Sequence, residues 1–313
     1  MKPDVLVMSA PAAPQLAQLE AAYTLHRYDK AEDKPAFLAE HGPKCEAIAT
    51  SGHQLLSAEM LEHLPRLKIV SCVSAGYEYI DAAALKAHGA VLTTTSPALA
   101  DDVADTAILL MLASLRKLVD AHAYTRSGDW ARKGPFPLQT SATGKNLGII
   151  GMGAIGRTIA ARASAMRMNI AYHSRSPKPD VAHDYQPDLL ALADWADVLI
   201  AILPGGDATR HIIDAKVLAA LGPKGCFVNV ARGSVVDEAA LIAALKDGTI
   251  ACAGLDVFAS EPDPDPALTG LPNVTLLPHA GSATVETRNA MAQMVVDNLA
   301  AYFAGKPLIS PVN

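Results

Sequence analysis

Cysteine is scarce and scattered in this chain: Cys45, Cys72, Cys226 and Cys252 are the only four, and no pair has C-x-x-C spacing. That pattern argues against a disulfide framework and gives no thiolate metal motif. Buried free thiols in a reducing cytoplasm are expected instead, with no metal site. Charge is sparse as well, 19% of residues, with a net balance of −6. So few cations give no basic face to neutralise phosphates or lie on an anionic bilayer, so neither nucleic acid nor membrane is expected as a partner. Long hydrophobic runs are missing: the apolar stretches are strand-sized, well short of the roughly 18 residues of a membrane helix. Met1-Lys2-Pro3-Asp4 opens directly into a short strand and carries no signal-sequence pattern. Repeats, low-complexity tracts and charge blocks are absent too. Half of the 313 residues are hydrophobic, enough to give each of two domains its own core.

The most informative stretch is Leu147-Gly148-Ile149-Ile150-Gly151-Met152-Gly153-Ala154-Ile155-Gly156. It is an apolar strand stopping at three glycines spaced G-x-G-x-x-G. Gly151 lets the chain turn, Gly153 lets a pyrophosphate approach the backbone, and Gly156 lets the next helix, expected over Arg157 to Met168, pack against the strand. The following strand, Ile170 to His173, ends in Ser174-Arg175-Ser176. An NAD site would carry an acidic residue about 20 positions on, for the ribose 2′-hydroxyl. Here Arg175 stands 24 residues after Gly151, flanked by two hydroxyls. A cation suits a 2′-phosphate, so the cofactor expected is NADP(H).

About 95 residues of α/β pattern precede the following linker and fingerprint. Strands are expected at Val5–Met8, Ala47–Thr50, Ile69–Val73 and Val91–Thr94, with helical patches at Ser57–His63 and Ala82–Ala87. Asp101-Asp102 is expected to cap a long helix running to about Thr125, before Ser127-Gly128, and bridging the domains. After the fingerprint the alternation resumes, with strands Val198–Leu203, Cys226–Val230, Ala251–Leu255 and Val274–Leu276 and helices Ala215–Leu221 and Asp237–Lys246. The fold class expected is therefore α/β with two domains: a doubly wound Rossmann-type nucleotide-binding domain plus a smaller flavodoxin-like α/β substrate domain. The last helix, about Val285 to Phe303, comes too late to extend the second sheet. The expected division is 1–98 with 285–313 for substrate and 99–284 for the dinucleotide.

Ligands of such sheets bind beyond the carboxyl ends of the strands, where three residues stand out: Arg232, Glu261 and His279. Singly, each has an ordinary explanation as a turn or loop residue. Together they are what hydride transfer to a carbonyl requires. An imidazolium gives the proton to the nascent alkoxide, a carboxylate favours the charged imidazole and holds its tautomer, and a guanidinium grips a carboxylate through two parallel hydrogen bonds.

The segments GMGAIG, NVARGSVVDE, GLDVFASEP and LPHAGSAT, with SPALADDVADTA before them, run in order from Ser96 to Thr284 and resemble the D-2-hydroxyacid dehydrogenase family. The resemblance implies Arg232 as substrate ligand, His279 as general acid and base, and Glu261 as its partner. It also implies that the backbone of Val73-Ser74-Ala75-Gly76 holds the substrate carboxylate and that Asp256 lies near the nicotinamide. Leu203-Pro204-Gly205-Gly206 with Thr209-Arg210 fits the family's cofactor-facing loop. Ala154, Ile155, Val230, Ala231 and Gly281 complete the implied cofactor contacts. HSRS and HAGSATVETRNAM most resemble the NADPH-linked glyoxylate, hydroxypyruvate and hydroxyphenylpyruvate reductases. Reduction of small 2-oxo acids to D-2-hydroxy acids is expected. Aromatic 2-oxo acids are the alternative, and a dinucleotide-sensing co-repressor is the reading from another class. Trp130, in an expected loop, either closes a neighbouring subunit's pocket or anchors its own linker; Leu99, Tyr77 and Trp130 are the expected far wall for the substrate. A cytoplasmic homodimer is expected.

Overall fold

The computed structural model describes residues 2–312. It divides into two compact units, Met1–Leu99 with Ser282–Asn313, and Ala100–Gly281.

In the first unit the strands are β1 (Asp4–Val7), β2 (Thr24–His26), β3 (Ala47–Thr50), β4 (Ile69–Cys72) and β5 (Val91–Thr93), all parallel, in the order β2-β1-β3-β4-β5. That is the flavodoxin-like doubly wound order. Successive residues face opposite sides, so each strand feeds two cores. Leu6, Ile48, Val70 and Leu92 pack with Leu56, Leu64 and Leu85 on one side. Val5, Ala47 and Ile69 pack with Leu19, Val295 and Leu299 on the other. The helix Val285–Phe303 covers that second side, accepting a bond from the buried Ser71 hydroxyl at the Val295 carbonyl, 3.3 Å.

In the second unit the strands are β6 (Asn146–Ile150), β7 (Asn169–His173), β8 (Asp184–Tyr185), β9 (Val198–Ala201), β10 (Cys226–Asn229), β11 (Cys252–Leu255) and β12 (Val274–Leu276). They form one parallel sheet in the order β12-β11-β10-β9-β6-β7-β8. β9, β10 and β11 are buried at every residue, as befits apolar strands covered on both faces. The strand order reverses between β6 and β9, which marks the crevice where a doubly wound sheet takes its ligand.

Two helices differ from expectation. The long helix starts at Ser96 rather than at an Asp101-Asp102 cap, because Pro97 is well tolerated in a first turn and Ala-Leu-Ala continues it. It also stops at Leu115: Lys117 has φ 45 in the left-handed region, and a separate helix follows over Leu118–Arg126. Asp101 and Asp105 instead take the Arg162 guanidinium at 2.9 and 2.5 Å. The fingerprint helix spans Ala154–Ala165, three residues earlier than expected, with Gly153 at its N-cap. Its free N-terminal amides therefore belong to the fingerprint itself. Among the described residues no helix is long and apolar enough to cross a membrane.

Candidate active site

β10, β11 and β12 are neighbours, and the chain leaves each at its carboxyl end carrying one of the three expected residues. At the end of β10, buried Asn229 shapes the turn: its Oδ1 accepts the Ala231 N–H and its Nδ2 donates to the Arg232 carbonyl, both at 3.0 Å. The Arg232 guanidinium, half-buried, donates through Nη1 to the Ala231 carbonyl at 2.6 Å. Beyond β11, Glu261 folds back so that Oε1 accepts the Phe258 N–H at 2.9 Å while Oε2 meets His279 Nδ1 at 2.6 Å. A carboxylate on Nδ1 places a proton there and leaves Nε2 for chemistry. Both side chains are about one-third exposed, 35% for His279 and 32% for Glu261, so the pair is desolvated yet reachable.

His279 itself sits at φ 51, a conformation unfavourable for a non-glycine residue. Asp256 holds it there. The Asp256 carbonyl accepts the His279 N–H at 2.8 Å, and its carboxylate oxygens accept the Ala280 and Gly281 N–H groups at 2.7 and 2.8 Å. Burial pushes the Asp256 carboxyl above the ordinary carboxylate range, against the two amides and His279, which favour its charge. A cavity of about 310 Å³ borders the pair, lined among others by Phe258, Pro262, Leu276 and Pro278. Neighbouring strands lie ~4.8 Å apart, so the ends of β10 and β12, with β11 between them, stand roughly 10 Å apart.

The glycine loop has the shape a dinucleotide needs. A Cβ on Gly151 would lie 2.2 Å from the Ile202 carbonyl, and one on Gly156 2.1 Å from the Gly151 carbonyl, so both must be glycine. Around the position of a Cβ on Gly153 there is open space for a phosphate. After β7, Arg175 and Ser176 are exposed. The Ser174 hydroxyl, expected to face the phosphate, donates instead to the Ser176 carbonyl at 2.7 Å, while Tyr185 holds the Ser174 carbonyl at 3.1 Å. Beyond β9, Thr209 braces the Leu203-Pro204 loop by donating to the Pro204 carbonyl at 2.7 Å. Val230 and Ala231 are buried beneath the Arg232 turn.

In the first unit, the Val73 N–H donates to the Thr50 carbonyl at 2.9 Å, continuing the β3–β4 ladder. It is not available to an anion, which narrows the expected carboxylate cradle to Ser74, Ala75 and Gly76. Leu99 is buried at 4% exposure, its side chain spent in packing rather than forming a wall. Trp130 lies in a short helix, Asp129–Lys133, not a loop, and is 63% exposed. The four cysteines are free and buried. Burial pushes the Cys45 and Cys72 thiols up to about 12, so neither is a nucleophile near neutral pH.

Residues 108–281 match the family described as D-isomer specific 2-hydroxyacid dehydrogenase, NAD binding domain. The chain belongs to that family. It is thus a 2-hydroxyacid dehydrogenase, with its dinucleotide-binding domain in the second unit. It is 46% identical to a glyoxylate/hydroxypyruvate reductase of Arabidopsis thaliana over 295 residues, 94% of each chain. A hydroxyphenylpyruvate reductase of Plectranthus scutellarioides is 43% identical over 308 residues, 98% of each. Among solved structures, an NADPH-dependent glyoxylate/hydroxypyruvate reductase of Sinorhizobium meliloti, in complex with NADP and malonate, superposes with a TM-score of 0.88 at 42% identity, covering 100% of this chain and 97% of that one.

Sequence reasoning missed Asn229, and it placed Asp256 near a nicotinamide without seeing that it builds the His279 loop. An Asn three residues before an Arg at a strand end is an Asx-turn signal that could have found the first.

Proposed function

We propose that this chain reduces small 2-oxo acids, glyoxylate and hydroxypyruvate among them, to 2-hydroxy acids, the D form where the product is chiral, using NADPH. The observation that carries this reading is the 2.6 Å pair of His279 Nδ1 and Glu261 Oε2, carried beyond β12 and β11 beside the β10 end that carries Arg232.

NADPH, when bound, supplies the hydride. The chain's own residues do the rest. His279 Nε2 donates a proton to the carbonyl oxygen as negative charge develops there, and Glu261 stabilises the imidazolium before transfer. Arg232 holds the substrate carboxylate and keeps the carbonyl oriented. In the reverse direction the neutral imidazole takes the hydroxyl proton. Arg175 and Ser176 are assigned to the 2′-phosphate, Gly153, Ala154, Ile155 and Gly156 to the pyrophosphate, and Leu203, Pro204, Thr209, Val230, Ala231, Asp256 and Gly281 to the rest of the dinucleotide. The relatives' names support reduction of 2-oxo acids, with glyoxylate and hydroxypyruvate named for two of them and hydroxyphenylpyruvate for a third. We further infer a homodimer, from Leu118, Val119, Trp130 and Leu138, all more than half exposed, and a cytoplasmic location.

The test is NADPH oxidation by purified protein with glyoxylate, hydroxypyruvate and 4-hydroxyphenylpyruvate. Higher kcat/KM for the two small acids, by about tenfold or ~1.4 kcal/mol, is expected. A preference for 4-hydroxyphenylpyruvate replaces this reading with an aromatic-acid reductase. Failure with every 2-oxo acid leaves a dinucleotide-binding sensor.

A further inference from the structure

Glu261 is not positioned by its own loop alone. The turn that carries it, residues 257–261, is gripped from outside by the segment that follows Arg232. Gly233 lies so close that a Cβ there would come within 1.8 Å of the Phe258 carbonyl oxygen and 2.4 Å of the Ala259 nitrogen. Five residues further on, Glu238 Oε2 accepts the Ala259 N–H at 2.9 Å. Glu238 opens the helix Glu238–Lys246, and Asp237 already serves as its cap, accepting the Ala240 N–H at 3.1 Å. The helix dipole alone would account for an acidic residue in the first turn. It does not account for a carboxylate that spends its oxygen on the amide of a loop 21 residues away.

We propose that Glu238 is a positioning residue for the proton donor. By fixing Ala259 it sets the Phe258–Glu261 turn, in which Glu261 is tethered through the Phe258 N–H, and so fixes where Oε2 meets His279. Because Gly233 and Glu238 flank the same segment, the aim of Glu261 is tied to the backbone that carries Arg232. A displacement of about 1 Å in such a pair can cost up to ~10²-fold in rate. The inference rests on the reading of His279 and Glu261 given above.

The test compares Glu238→Ala, Glu238→Gln and Glu238→Asp with wild type, alone and over Glu261→Gln, by NADPH-linked kinetics across pH and by amide hydrogen exchange on the ligand-free protein. Glu238→Ala is expected to lower kcat about tenfold and leave KM for NADPH within twofold. It should also move the pH profile of kcat in the same direction as Glu261→Gln and add nothing to that variant. Glu238→Gln keeps an accepting oxygen at the same reach and should stay within twofold of wild type. Glu238→Asp keeps the charge but falls short of Ala259, so it should behave like the alanine variant and serves if that variant does not fold. Amides 258 and 259 should exchange at least tenfold faster in the alanine and aspartate variants. An unchanged kcat and pH profile in those variants, or losses that multiply in the double variant, overturn the assignment while leaving the proposed function standing. If wild type reduces no 2-oxo acid, the proposed function fails and unchanged exchange at 258 and 259 overturns the clamp separately.

Discussion

Arg175 and Asp256 show how much of the site single letters disclose. Arg175 is assigned to the 2′-phosphate because a cation stands where an NAD enzyme would carry an acid, and it is exposed at the end of β7. A charge-assisted contact gives ~1.5–3 kcal/mol, so NADPH is expected to exceed NADH by at least about tenfold in kcat/KM, and Arg175→Ala to erase most of that gap. Equal use of both cofactors by wild type makes Arg175 an ordinary surface residue. The role of Asp256 was not legible, because its work is done through backbone amides 24 and 25 residues away. Burial raises its pKa, so the native state keeps a proton there at pH values where the unfolded chain has lost it. Its contribution to stability is therefore full below the ordinary carboxylate range and falls as pH rises through the raised value. Asp256→Asn cannot titrate, so the pH dependence of its melting temperature should lack that component. Parallel curves for wild type and variant contradict the assignment.

Elements with a strong internal signal were read closely. Ala47–Thr50, Ala215–Leu221 and Val285–Phe303 coincide with their expected bounds because an apolar run or a capped amphipathic stretch defines both ends. Edge strands β2 and β8, of three and two residues, were invisible: they are partly exposed and too short for any periodicity. The helices Ala13–Ala22, Lys34–His41 and Leu189–Trp195 were missed for the related reason that each buries only one or two residues. The start at Ser96 lies earlier than expected because Asp101-Asp102 has the residue type of a cap, while Pro97 is tolerated in a first turn. Aspartate caps are a recurrent device here, and Asp214 is the fullest, accepting the Lys216 and Val217 N–H groups at 2.9 and 3.0 Å. Asp214→Ala is expected to cost about 1 kcal/mol, read as a lower Tm with unchanged kcat. An unaltered Tm contradicts the cap's role.

At the scale of the whole molecule, the parallel pairing of both sheets follows from the alternation of strands and helices, which is why the fold class was legible before any coordinate; the two strand orders were not. What the alternation cannot give is the exposed apolar set Leu118, Val119, Trp130 and Leu138, which depends on how the chain around Lys117 turns. A homodimer that covers this set is expected, so light scattering at micromolar concentration should return about twice 32.7 kDa; a value for one chain refutes it. The central claim remains the proton transfer at the ends of β10, β11 and β12. Its most direct test is His279→Ala, with turnover of glyoxylate by NADPH and the dissociation constant for NADPH measured on the same preparation. Turnover should fall by at least ~10²-fold with NADPH affinity nearly intact, the usual scale for losing a general acid. A variant that keeps more than about a tenth of wild-type turnover contradicts the assignment of His279 as the proton donor.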